Sequence, residues 1–381
     1  QPKPTCWDKT MNSLPAQTLA NIPGVLGYYP HQSIIFVTFR HHRDDTHSRW
    51  ALGPTLRIDI DSLDALPEVG EVLTAEHADV VLAFVIGRFP TQDGTTLDEI
   101  TTTLAQAADT HIVPIDACWH ATTITNNGTY QLRFEQTPSL TDRGLPTAGW
   151  RHGRIADIPT AQATQQLLAD GDLPELTRDD CFTAFDKAAT DPTIWRDRAS
   201  NVANLAAQLA VDAQCCPSQF QAWFTTLETE LIRLEQPLPT PPGPGADIID
   251  TCAAMLSITR IRDAAINLLL DHDRAARTLA LEVARHFDAP IRTEALCVFA
   301  LCALGRHNTP KALHALMVAR AEQPSHTLTR YLLLAYQHEL TENLIEKVRD
   351  GSTAAAAYYG LSIPRQTATT GPNADNTITA T

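Results

Sequence analysis

Long hydrophobic runs are missing from this chain. No segment approaches the roughly 18 uncharged apolar residues that a membrane span requires, so no spanning helix is expected. Residues 1–18 lack the charged, apolar, small-residue order of a signal peptide, and a cytoplasmic protein is expected. Basic charge is scarce. Against 44 Asp and Glu stand only 29 Lys and Arg, a formal net charge of −15. That imbalance favours solubility and works against attraction to nucleic acid or to an anionic membrane surface. Neither is an expected partner.

The motifs whose spacing carries a mechanism are absent too. There is no G-x-x-x-x-G-K-S/T phosphate loop, G-x-G-x-x-G turn, H-E-x-x-H helix or G-x-S-x-G elbow. Gly24-Val25-Leu26-Gly27 precedes no expected helix and so makes no phosphate cradle. No cofactor is expected. The eight cysteines (Cys6, Cys118, Cys181, Cys215, Cys216, Cys252, Cys297 and Cys302) include no C-x-x-C. Most lie in apolar helical surroundings and read as small buried hydrophobes in a reducing compartment. The adjacent Cys215 and Cys216 admit a redox role. "RHHRDDTHSR", residues 40–49, gathers His41, His42, Asp44, Asp45 and His47. These are metal-ligand types, but in a polar turn they read as a solvated loop, and no metal site is expected.

What is present is a globular chain. Hydrophobic residues make up 44% of the 381, enough for more than one core. Residues 33–135 alternate strand and helix. Ser33 to Phe39 is an apolar strand. Trp50 to Ile60 is a second, with a bulge expected at Gly53-Pro54. A helix capped by Ser62 runs to about His77, and "DVVLAFVIG", from Asp79 to Gly87, is the clearest buried strand. Thr96 with Glu99 fits a capping box for a helix to about Asp109. His111 to Ile115 reads as a strand. Two more, about 118–125 and 129–135, flank the turn signal Asn127-Gly128. The succession β-β-α-β-α-β-β predicts an α/β domain, a mixed sheet with helices packed on it.

Residues 136–160 read as a connecting loop, and the strand pattern then stops. Trp195, Ala199, Val202, Leu205 and Leu209 form one helical stripe. Phe220, Trp223, Phe224, Leu227, Leu231 and Leu234 form another. "PLPTPPGPG", residues 237–245, reads as a semi-rigid linker. From 246 to 360 an all-α part made of helical hairpins is predicted, and 361–381 as a disordered tail. Setting Pro324 as the closing proline of a tetratricopeptide-like repeat places Ala300, Ala303, Ala312 and Ala319 at positions needing small residues. An ordinary helical hairpin fits the same spacing.

Open α/β sheets bind ligands at the carboxyl ends of their strands. Those ends are predicted to carry Asp59 and Asp61, then Arg88, then Asp116. The short turn at 41–49 predicts antiparallel pairing of the first two strands, which sets Ser33 beside Ile60. The segment containing Tyr29 and Pro30 then borders the same crevice. Pro23, Pro30, Gly24 and Gly27 restrict and turn this segment, so residues 22–33 are expected to form a loop over the sheet end. Ser33 is expected to donate to a carboxylate or a loop carbonyl. Such a loop suits either a ligand site or a structural plug. Arg57 and Asp59, two apart on a strand, share a face and can pair with each other.

These residues carry a resemblance. Leu19-Ala20, then Pro23-x-x-Leu26-Gly27-x-x-Pro30-x-x-Ser33 and an apolar strand, resembles the opening motif of an actinobacterial family. That family is catalogued as a domain of unknown function, number four-one-nine-two. Arg57-x-Asp59 matches its second motif, and the alanine-rich helices near 295–335 are similar to its C-terminal part. Tyr28-Tyr29 stands where the pattern expects Phe and His, and Ile60-Asp61 where it expects Leu and Pro. The resemblance implies a fold and no activity.

The expected function is therefore non-catalytic. A small-molecule ligand would sit in the α/β domain, at Tyr29, Pro30, Ser33, Arg57, Asp59, Asp61, Arg88 and Asp116, and a protein partner on the C-terminal helices. The alternative is a hydrolase or transferase using Asp59, Asp61 and Asp116 with a divalent cation.

Overall fold

A computed structural model of the chain describes residues 14–43, 48–136, 149–189, 192–236, 243–306, 308–337, 340–361 and 377–378. Residues 1–13, and parts of the 40–49 turn, the linker and the tail, lie outside the described residues. The chain divides into two units, Gln1–Arg178 with Gly371–Thr381, and Asp179–Thr370.

The first unit is α/β. Helix α1 (Leu14–Leu26) leads to β1 (Ser33–Arg43) and β2 (Ser48–Asp59). Then come α2 (Leu66–Ala75), β3 (Val80–Ile86), α3 (Leu97–Asp109), β4 (Ala117–Ala121), β5 (Thr129–Glu135), β6 (His152–Arg154) and α4 (Gln162–Ala169). A two-residue β7 (Thr377–Ile378) pairs with the start of β2. The sheet order is β6-β5-β4-β3-β1-β2-β7. Only β3 and β4 run parallel, and the other pairs are antiparallel. This is the mixed sheet the alternation of elements predicts.

Period-two alternation divides the core. Ile35, Val37, Phe39, Leu82, Phe84 and Trp119 point to the side of α1, where they meet Leu19 and Ile22. Ile34, Phe36, Val81, Ala83, Val85 and Cys118 point to the side of α2 and α3, against Leu73, Ile100 and Leu104. Both faces of β1 and β3 are covered, which is why their sequences are solidly apolar. The Thr96–Glu99 capping box forms as its spacing predicts. The β2 bulge also forms. Val37 pairs with Thr55 and Phe39 with Leu52, leaving Thr38 opposite both Gly53 and Pro54. The Thr38 hydroxyl donates to the Pro54 carbonyl at 2.9 Å.

Three readings are corrected here. Residues 22–26 belong to α1 and are not a loop. Pro23 and Gly24 look like helix breakers, yet both are buried inside it. A Cβ on Gly24 would stand 2.5 Å from the Ala163 carbonyl carbon, so glycine is there to let α1 approach α4. Gly27 (φ 81°) then ends the helix in the left-handed conformation, its N–H bonded to the Pro23 carbonyl at 2.9 Å. Residues 111–115 are not a strand. They form a turn that buries Val113 and Ile115, and β4 begins at Ala117. Finally, the stretch after Gly149 is not mere connection. β6 adds to the sheet and α4 packs on α1, so the α/β unit runs to Arg178.

The second unit is helical: α5 (Asp180–Thr183), α6 (Pro192–Cys215), α7 (Pro217–Leu234), α8 (Ala246–Ser257), α9 (Thr259–Asp271), α10 (Asp273–His286), α11 (Ile291–Gly305), α12 (Thr309–Glu322), α13 (Thr327–Gln337) and α14 (Thr341–Tyr358). The predicted stripes on α6 and α7 are buried at Val202, Leu209, Phe220, Phe224, Leu227 and Leu231, in one core with α8 to α14. Residues 237–245 therefore do not separate two cores. Helix α11 is buried on every side from Ala295 to Leu304 and meets α8, α9, α10, α12, α13 and α14. Ala300, Ala303, Ala312 and Ala319 are fully buried, as close packing demands. An open repeat stack contacts only sequence neighbours, so this unit is a bundle around one central helix.

Charge is used inside the bundle. The Arg292 side chain is buried, with bonds to Glu322 at 2.8 and 2.9 Å, to the Phe185 carbonyl at 2.7 Å and to the Ala284 carbonyl. Arg292→Ala strips donors from two buried carbonyls and leaves a void. It is expected to cost roughly 3 kcal/mol in chemical denaturation, and Arg292→Lys, which lacks the planar fork, should recover less than half of that.

Candidate functional site

The antiparallel register sets Ser33 directly opposite Asp59 and Ile35 opposite Arg57. Ser33, Arg57 and Asp59 thus share the face that carries α1. The Ser33 hydroxyl is fully buried and donates to the His31 carbonyl at 2.7 Å, the loop-carbonyl outcome expected of it. It accepts from Arg57 Nε at 2.9 Å. The other side of the guanidinium, Nη2, pairs with Asp59 Oδ1. Arg178 Nη1 stands 4.0 Å from Asp59 Oδ2. The Arg57 side chain is 12% exposed and that of Asp59 46%. A guanidinium is therefore held rigidly beneath a carboxylate that faces water.

The loop from 27 to 32 is pinned on three sides. Tyr29 N–H donates to the Glu175 carbonyl at 2.9 Å, and Glu175 N–H to the Gly27 carbonyl at 2.8 Å. Ile60 N–H donates to the Gln32 carbonyl at 3.1 Å. Gln32, itself at φ 44°, accepts from Arg88 N–H through Oε1 at 2.9 Å. Pro30 is buried, and Tyr29 packs on the α1-side core. Both fix the loop in place. Gly87 permits the approach, because a Cβ there would stand 2.2 Å from Gln32 Oε1.

Of the predicted residues, the structure brings together Ser33, Arg57 and Asp59, with Tyr29, Pro30 and Arg88 on segments at the same sheet end. Asp61 is exposed just past β2, 3.4 Å from the Ser62 hydroxyl. Asp116 does not join them. It precedes β4, and its Oδ2 accepts from Val81 N–H at 2.8 Å. Val81 is the second residue of β3, whereas Ser33 pairs with Ile86 at its end. Asp116 thus caps the opposite end of the sheet, a consequence of β4 starting after it. A shallow groove along α2 and the turn after α3 is lined by Pro67, Gly70, Thr74, His77 and His111.

Sequence reasoning missed Gln32, Glu175, Arg178 and His120. Arg178 falls in a segment that reads as part of the helical region, and no spacing marks it. His120, near the end of β4, bonds through Nε2 to the Gly87 carbonyl at 3.0 Å and meets the Phe89 ring edge-on. Burial pushes its pKa below the ordinary 6.5. The Gly87 bond opposes that shift and the Arg133 charge adds to it. His120 lies on the α3 side of the sheet, across from Ser33.

Among the described residues, no three His, Cys, Asp or Glu side chains are grouped to hold a metal ion. Near Asp59 the local charge is cationic, because two guanidiniums face its carboxylate. A mixed-sheet unit joined in sequence to a helical bundle, with a Ser-Arg-Asp set at the sheet end, is the class this geometry defines. The chain belongs to the family described as "Domain of unknown function (DUF4192)", whose model matches residues 15–343. No curated protein and no solved structure matches it. No helix among the described residues is long and apolar enough to cross a membrane.

Ser33→Ala removes an acceptor from Arg57 and a donor from the His31 carbonyl. It should destabilise the α/β unit by about 1–2 kcal/mol, lowering its thermal midpoint by about 2–4 °C per kcal/mol. His120 carries a pH prediction. Its folded pKa is depressed, so the unfolded chain binds the proton more readily. The stability it contributes is present above 6.5 and is lost as pH falls through the lowered folded value. NMR titration should place His120 below 6.5, and the His120→Gln protein should lose less stability between pH 7 and 5 than the natural one.

Proposed function

We propose that this chain is a non-catalytic binding protein. Its α/β unit takes a small ligand at the sheet end formed by β2, β1 and β3, and its helical unit offers a surface to a protein partner. The observation that carries the reading is the Arg57 guanidinium, fixed between Ser33 Oγ and Asp59 at a half-exposed edge. Preorganised polar groups on rigid strands are what selective binding needs. The exposed Arg88 and the half-exposed Arg178 and Asp59 are the reachable groups, so a small anionic or zwitterionic ligand fits best. The net charge of −15 speaks against nucleic acid and membrane surfaces as partners. The seven reduced cysteines among the described residues suit the cytoplasm.

Geometry works against the cation-assisted alternative. Asp59 is already compensated by arginine, which repels a divalent ion, and Asp116 sits at the far end of the sheet. The test is a thermal-shift screen of the full chain against small anionic and zwitterionic metabolites, with hits measured by calorimetry. A hit should bind at least ~10-fold more weakly to Arg88→Ala or Arg178→Ala, about 1.4 kcal/mol. Unchanged affinity in both variants overturns the site. Phosphoester turnover that Asp59→Asn abolishes overturns the non-catalytic reading.

A further inference from the structure

Of the seven cysteines among the described residues, five are buried: Cys118, Cys181, Cys252, Cys297 and Cys302. Burial pushes the Cys252 and Cys297 thiols up to about 12 and those of Cys118 and Cys302 higher still. These four are held as inert thiols. Cys215 and Cys216 are different, since both are exposed and they are consecutive. A free cysteine is among the most buried of residue types, so two adjacent exposed ones are an anomaly that packing does not account for.

The turn that presents them is rigid. Cys215 ends α6, Cys216 is the residue before α7, and Pro217 starts that helix. Cys216 N–H donates to the Asp212 carbonyl at 2.9 Å, and the Cys216 carbonyl accepts from Phe220 N–H at 2.9 Å. The buried Asp212 carboxylate ties the two helices together. It accepts from Gln208 on α6 at 2.8 Å and from the Trp223 indole on α7 at 2.9 Å. Among the described residues no hydrogen bond engages either thiol.

Adjacency decides what such a pair can do. The peptide between them is trans, which fixes their Cα atoms about 3.8 Å apart. A relaxed disulfide needs roughly 4.4–6.8 Å. A direct S–S bond is therefore strained, whereas one atom bridging both sulfurs relieves the constraint. We propose that Cys215 and Cys216 form a dithiol site for a thiophilic bridging centre, of the class of trivalent arsenicals. With phenylarsine oxide as the probe, two As–S bonds form and the As=O bond breaks. The oxygen leaves as water, carrying both thiol protons, and no electrons change hands.

The experiment uses the full chain carrying Cys6→Ser, because Cys6 lies outside the described residues. Intact mass spectrometry should show about one phenylarsenic group per chain, with both exposed thiols protected from maleimide. A dithiol competitor should remove it and a monothiol should not. Cys215→Ser and Cys216→Ser, each checked for native circular dichroism, should each weaken retention by at least ~100-fold through loss of the chelate. Retention unchanged in either single variant overturns the proposal. So does unaltered alkylation of both thiols in the presence of the arsenical.

Discussion

The double coverage of β1 and β3 is the constraint on which the α/β unit depends. Each strand places alternate residues into two separate cores, one under α1 and one under α2 and α3. A one-residue slip would exchange the two sets of side chains, so the register is fixed by packing on both sides at once. The price is that neither face of the central sheet is open to a ligand. Only the ends and the edge are reachable. At the edge, β2 pairs with β7 at Trp50 and Ala51, and from Leu52 to Asp59 it is half-exposed. The bulge at Gly53-Pro54 removes one ladder donor there and twists the strand, a familiar way to blunt an edge.

The helical unit obeys a related constraint with a different solution. Helix α11 is almost wholly buried, and most of its polar side chains find partners inside, Thr293 Oγ1 being left without one among the described residues. Arg292 reaches carbonyls on two neighbouring segments. Glu294 meets Arg262 of α9 at 2.5 Å and His326, ahead of α13, at 3.2 Å. Cys297 lies 3.1 Å from the Thr329 hydroxyl of α13. Buried ion pairs are poor sources of net stability, because desolvation offsets their attraction. Here they link α11 to named neighbours, which apolar contacts alone do not specify.

What could be read from the sequence follows from how local each signal is. β3 was legible because a strand buried on both faces is a continuous apolar run. The α3 cap was legible because its bonds join residues three apart. Ser33 at the same sheet end as Asp59 was legible from a short turn and two strands, though the register places it opposite Asp59 and not Ile60. The failures are tertiary. Pro23 and Gly24 have every local mark of a loop, and only the approach of α4 explains a glycine inside a helix there. His111 to Ile115 is apolar because Val113 and Ile115 plug a turn, not because it pairs. That error moved Asp116 to the wrong end of the sheet. The three residues of β6 carry no pattern at all, and Arg178 reaches Asp59 from more than a hundred residues away.

The Ser-Arg-Asp set limits how a ligand can be held. Arg57 is the most deeply placed charge at the sheet end, yet it is the least available. Its Nε is committed to Ser33 and its Nη2 to Asp59. An anion seeking Arg57 must first displace a carboxylate already close to it, and the exchange leaves Asp59 facing Arg178 alone. That substitution gains little, since one charge-assisted bond replaces another. A ligand that leaves the pair intact has easier partners: the outer oxygen of Asp59, the half-exposed Arg178 and the exposed Arg88. Under the proposed reading Arg57 would be a positioning group, holding the Asp59 carboxylate in one orientation so that it could accept from a donor on the ligand. If the proposed binding role holds, such a site would favour a molecule carrying both a cationic and an anionic group, and would discriminate by their spacing rather than by net charge.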